Sequence, residues 1–118
     1  MTGLRLRTDF WVAALLRRAE AAGAYVSVAR KGAEEAGAVF IVVDRRDGSF
    51  DLYGPAPQSV FAEEGPPERL FVLITGAASE EAVRTRMESE FRFDPDLWRI
   101  DIEDRSGRAF VEVIAIPF

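Results

Sequence analysis

Five carboxylates crowd the stretch from Asp94 to Asp104: Asp94, Asp96, Asp101, Glu103 and Asp104 form the densest set of hard oxygen donors in the chain. A divalent ion such as Mg²⁺ takes several such oxygens, which makes Asp94, Asp96, Asp101 and Glu103 the candidate metal ligands. The alternative is a solvated strand face, because acidic residues at alternate positions need no ion to explain them. For binding, the candidates are Trp11, Arg30, Lys31, Tyr53, Pro55, Pro57 and Gln58. Aromatic and arginine side chains beside a rigid proline loop are the types that dominate interface energies. Trp98 belongs to the same chemical class, but both tryptophans also suit a core or core margin.

The rest of the composition removes chemistry. The chain has 118 residues with no histidine and no cysteine. Thiol nucleophiles, Cys/His zinc sites and imidazole acid or base catalysis are therefore excluded. A serine nucleophile lacks its base, no glycine-rich phosphate cradle is present, and only carboxylate pairs remain as acid and base. Pro95-Asp96 followed by Asp101-Ile102-Glu103 is similar to the Pro-Asp and acidic-x-Lys pattern of metal-dependent nucleases. Glu103 stands where that pattern has its lysine, so water activation has no basic residue. Against 20 Asp and Glu stand 15 Lys and Arg, a formal charge of −5. Of those cations only Lys31 is a lysine, and the arginines are scattered. Duplex nucleic acid, which selects a concentrated positive face, is not the expected partner.

Those side chains must be held by a fold, and at 48% hydrophobic and 30% charged the chain has the composition of an ordinary globular domain. One domain over residues 1–118 is expected. Phe10 to Leu16 is far too short an apolar run to span a bilayer, and Arg17, Arg18 and Glu20 stand where a secretory signal would be uncharged. A cytoplasmic location and no membrane are expected. Val12, Leu15, Leu16, Ala19 and Ala22 recur at helical spacing, with Thr8 as the expected cap, and Gly23 ends the helix.

Strands are expected over Ala24 to Arg30, Ala38 to Val43 and Ser49 to Tyr53. The second is apolar almost throughout, as in a strand covered on both faces, and Asp47-Gly48 predicts a tight hairpin after it. Gly54-Pro55-Ala56-Pro57 opens a loop that Gly65-Pro66-Pro67 closes, either a functional surface or a crossover held by Val60 and Phe61. Arg69 to Ile74 is a further strand. Ser79 caps a second helix with the apolar stripe Val83, Met87 and Phe91, and Asp94-Pro95 stops it. Glu80 with Arg84 and Glu88 with Arg92 have the spacing of favourable helix pairs. Trp98, Ile100 and Ile102 alternate with Arg99, Asp101 and Glu103, Ser106-Gly107 turns the chain, and Phe110 to Ile116 is the last strand. Hairpin spacings throughout predict an α+β fold, an antiparallel sheet of five to six strands with two helices packed on one face. Leu4 to Arg7 would be an arm or an edge strand.

Several segments together resemble a family of small alphaproteobacterial proteins of unknown function: Leu4 to Val12, Arg30-Lys31-Gly32, Ala36 to Phe40, Leu52 to Gln58, and Arg92 to Trp98 running on to Glu103-Asp104-Arg105. The resemblance covers nearly the whole chain and implies a bacterial cytoplasmic protein. It implies no catalytic residue. The expectation is a non-enzymatic interaction or regulatory module, with no cofactor, presenting a sheet edge or the proline loop to a protein partner or to itself as a homodimer. An exposed edge such as Ala24 to Arg30 invites such pairing. The alternatives are a small enzyme or metal-dependent activity at residues 94–104, or a small-molecule pocket between helix and sheet.

Overall fold

The computed structural model describes residues 6–57 and 69–115. Its elements are α1 (Thr8–Ala21), β1 (Tyr25–Arg30), β2 (Val39–Asp44), β3 (Phe50–Pro55), β4 (Leu70–Ala78), α2 (Glu80–Phe93), β5 (Trp98–Glu103) and β6 (Glu112–Val113). The expected arm at Leu4-Arg5 and the loop anchors Val60 and Phe61 lie outside the described residues.

The fold is α+β, but the sheet is mixed and not antiparallel throughout. Its order is β1-β5-β2-β3-β4-β6. Pairs β1/β5, β2/β3 and β3/β4 are antiparallel, whereas β2/β5 and β4/β6 are parallel. The cause is α2. A helix between β4 and β5 is a crossover and not a hairpin, and it delivers β5 parallel to β2 in the gap beside β1. The expected β5/β6 hairpin is likewise replaced by a crossing to the far edge. There Arg18 Nη2 donates to the Phe110 carbonyl at 2.8 Å, and Ala109, Phe110 and Val111 pack on the α1 side of the core. Phe110 has φ +63°, a left-handed conformation that interrupts the expected strand from Phe110 to Ile116. Only Glu112–Val113 pairs, and Ile116 lies outside the described residues.

The two helices pack on opposite faces, which corrects the expected single helical layer. Val39, Ile41 and Val43 of β2 join Val12, Leu15 and Ala19 of α1, while Phe40 and Val42 join Val83 and Met87 of α2. Successive strand residues point to opposite faces, so β2 is buried on both. Ser79 caps α2 as expected, its Oγ accepting from Ala82 N at 3.1 Å. The helix pairs differ from expectation: Arg84 meets Glu81 at 3.8 Å and Arg86 meets Glu90 at 2.8 Å. Thr8 is the first helical residue and not the cap, and its hydroxyl donates to the Gly37 carbonyl at 3.0 Å. The β2/β3 loop is wider than a two-residue turn, with positive φ at Arg46 and Gly48.

At the end of the molecule where β2 and β5 begin, the segment between β1 and β2 is clamped. Asp9 N and Thr8 N donate to the carbonyls of Glu34 and Glu35 at 3.0 and 3.3 Å, and Ala33 N donates to Asp96 O at 2.9 Å. Trp98 Nε1 returns a bond to the Ala33 carbonyl at 2.8 Å. Thr8-Asp9, Gly32 to Gly37 and Asp96 to Trp98, which lie far apart in sequence, thus meet in one knot of close contacts and hydrogen bonds.

Candidate functional site

The alternation of β5 decides where the acidic residues go. Asp101 and Glu103 stand on the α2 face, while Asp94 and Asp96 remain in the α2–β5 loop, where Asp96 N donates to Asp94 Oδ1 at 3.0 Å. A groove of about 610 Å³ lies between the start of α2 and strands β2 and β5, and Asp101 and Glu103 line it together with Asp44, Glu81, Arg84 and Arg99. Arginines answer its carboxylates: Arg99 Nε donates to Asp101 Oδ1 at 2.7 Å, and Arg46 pairs with Glu103 at 3.1 Å. Among the described residues no group of three or more Asp or Glu is placed to hold a metal ion. The groove is lined chiefly by charge, unlike the apolar pocket expected of a small-molecule site.

Asp104 turns away from this set and is buried. Its carboxylate accepts from Arg108 Nε at 3.0 Å, Nη2 at 2.9 Å and backbone N at 2.8 Å. The Arg108 side-chain bond lowers its pKa below the ordinary 3.8, against a desolvation that raises it. A folded-state pKa below the unfolded one gives stability that is complete above the unfolded value and lost as pH falls through the folded one. Thermal melts should therefore show wild type losing more stability than Asp104→Asn on acidification from neutral pH to below 3.8, and parallel curves would exclude this linkage.

The candidate binding residues fall into two groups on the same end of the sheet. Trp11 stacks on Phe71 with ring centroids 5.6 Å apart, and the Arg69 guanidinium lies 5.5 Å from the Trp11 ring while donating to Thr8 Oγ1. Tyr53, paired across to Ile41 and Leu73, is half-buried beside the same core, and burial raises its phenol pKa. Pro55 lies opposite Phe71, and Pro57 is exposed. Gln58 lies outside the described residues. On the other side, Arg30 lies 3.6 Å from the Phe91 ring centre and donates to Pro95 O at 3.3 Å, while Lys31 pairs with Glu34 at 3.0 Å. Strands β5 and β2 separate β1 from β3, a span of about 14 Å at the usual strand spacing. The two groups are not one constellation, and Trp98 is a core residue.

The surface feature that the candidate set passes over is the outer edge of β1. Tyr25 is 79% exposed and Val28 38% exposed, and β1 is a terminal strand of the sheet. This is the exposed edge expected over Ala24 to Arg30, and of the candidate binding residues only Arg30 belongs to it.

Among the described residues no helix is long and apolar enough to cross a membrane. Residues 6–112 match the model of a protein family of unknown function, DUF1491. The chain is 41% identical to a DUF1491 family protein from Caulobacter crescentus known from a crystal structure, covering 95% of this chain and 100% of that one with a TM-score of 0.77. It is 40% identical to protein Atu0922 from A. tumefaciens, whose solution structure superposes with a TM-score of 0.82 over 97% of this chain and 98% of that one. No curated protein matches. With a family model over most of its length and alphaproteobacterial relatives of the same fold, the chain belongs to the DUF1491 family.

Proposed function

We propose that this chain is a non-enzymatic, cytoplasmic protein-interaction module whose docking surface is the open edge of β1. The observation that carries the reading is an unprotected edge strand. In β1 every second residue aims its N–H and C=O away from β5, where no strand follows among the described residues. Natural sheets blunt such edges by brevity, proline, lysine or a bulge, and the one bulge of β1 lies near its end, between Val28 and Arg30. The opposite edge is blunted: β6 is a two-residue strand. β1 has six residues, Tyr-Val-Ser-Val-Ala-Arg, with no proline or lysine, and its apolar Tyr25 and Val28 are exposed. An added strand would satisfy the outward polar groups and cover both side chains, the mode of β-augmentation. The full residue set contains no histidine or cysteine, and the groove carboxylates Asp101, Glu103 and Glu81 are paired with Arg99, Arg46 and Arg84, which favours recognition over chemistry.

The test is selection of short random peptides on dilute protein, followed by backbone NMR titration. Enriched peptides should shift the amides of Tyr25 to Arg30 and lose binding to Val28→Lys. Peptides that shift other amides, or no enrichment at all, would remove β1 as the docking surface.

A further inference from the structure

We infer that the strand added to β1 is the β1 of a second copy of this chain, a conclusion that rests on the reading above and names its occupant. A bulge makes the strand self-complementary. Tyr25, Ser27 and Arg30 stand opposite Glu103, Asp101 and Arg99 of β5, with the register shifting between Val28 and Arg30. These three residues therefore share the α2 face, and Arg30 lies over Phe91 of α2. Val26 and Val28 stand opposite Ile102 and Ile100 on the α1 face. Without the extra residue at Ala29 the period of two would turn Arg30 to the valine side.

A two-fold axis perpendicular to the sheet through Ser27 pairs the two strands antiparallel over their whole length. Ser27 then lies opposite its own mate. On the α1 face Val26 meets the partner's Val28, twice by symmetry. On the α2 face Tyr25 meets the partner's Arg30, already stacked on an aromatic ring. Pairs of β-branched residues and pairs of aromatic with cation are the stabilising cross-strand kinds. Charge agrees along the same line. The Glu103 end of one copy lies beside the Arg30 and Arg99 end of the other, while the two Asp101 carboxylates, in line across both Ser27 residues, are each paired with an Arg99 of their own chain.

Other registers fit less well. A slip of one residue sets valines against the polar face. Centring on Val28 leaves Tyr25 and Val26 without a mate, and centring on Val26 does the same to Val28 and Arg30. A two-fold dimer requires a patch complementary to itself, and this strand is one.

Sedimentation velocity on the full chain, together with a cysteine scan in a protein that has no native cysteine, tests the assignment. Wild type should sediment at twice 13.1 kDa and Val28→Lys as the monomer. Ser27→Cys should form a covalent dimer under oxidised glutathione, because directly opposed strand residues lie within disulfide reach. Arg105→Cys, on an exposed turn, should not. A wild type that stays monomeric at its highest soluble concentration overturns the second copy, as does a dimer that Val28→Lys leaves intact and Ser27→Cys fails to crosslink. In a monomeric protein, peptides that still shift the β1 amides would leave the docking reading standing, whereas silent β1 amides would remove both.

Discussion

Gly32→Ala should be among the most damaging single-methyl changes in this protein, lowering stability by about 3 kcal/mol and the melting temperature by roughly 12 °C. A Cβ at position 32 would sit 2.1 Å from Asp96 O and 2.6 Å from the carbonyl carbon and oxygen of Leu97. These are backbone atoms and cannot rotate aside as a side chain would. The Asp96 carbonyl is already fixed by Ala33 N at 2.9 Å, and Leu97 is fully buried against α2. Relief would have to move the loop before β2 away from the start of β5, taking Trp98 Nε1 from the Ala33 carbonyl. Gly23→Ala is the control. Gly23 has φ +90° but nothing within 4 Å of its would-be Cβ, so its cost is conformational alone, about 1 kcal/mol. Thermal or urea melts of both variants decide the point, and a Gly32→Ala no worse than Gly23→Ala would show that the close approach is not what the fold requires.

The same knot shows how far the amino-acid sequence reveals this molecule. Element types are set by local patterning and were legible: the helical spacing of Val12, Leu15 and Ala19, the serine cap of α2, and the alternation from Trp98 to Glu103 all appear in the structure. Sheet order and hand of pairing depend on contacts distant in sequence, so hairpin spacing misplaced β5 and β6. One signal for the true layering was present. The unbroken apolar run from Val39 to Val43 implies cover on both faces, which two helices on a single face do not supply. Site residues were harder, because a charged side chain's partner is chosen in three dimensions. Asp101 and Glu103 appeared as a cluster with Asp94 and Asp96 until the strand separated them and arginines took each. Tyr53 appeared as a loop-side contact, yet it packs beside the α1 core, so its truncation would open a cavity as well as alter a surface.

Asp51→Ala should cost about 2 kcal/mol, roughly 8 °C in melting temperature, although a lone aspartate in a strand looks like a solvated residue. Asp51 is only 3% exposed. Its Oδ2 accepts from Arg45 Nε at 2.7 Å and its Oδ1 from Ala77 N at 2.9 Å. The second bond explains why it is there. The β3/β4 register shifts between Phe50 and Leu52, and Ala77 is left-handed at φ +51° just before α2. Such a bulge withdraws a backbone N–H from the ladder, and the Asp51 carboxylate receives it. Arg45, held by the other oxygen, lies where a Cβ on Gly107 would be 2.6 Å from its Cζ. One carboxylate thus ties the β2/β3 loop to the turn into α2 and to the turn after β5. Because the Arg45 side chain is 38% exposed, water replaces part of what it loses, which keeps the cost below that of a fully buried pair. Ala77 is exposed, so water reaches its N–H once the carboxylate is gone, and faster hydrogen exchange at that amide should accompany the lower melting temperature. Asp51→Asn, which keeps an acceptor oxygen, should recover about half the loss. An Asp51→Ala protein that melts like wild type with an unchanged Ala77 amide would show that the bulge holds itself.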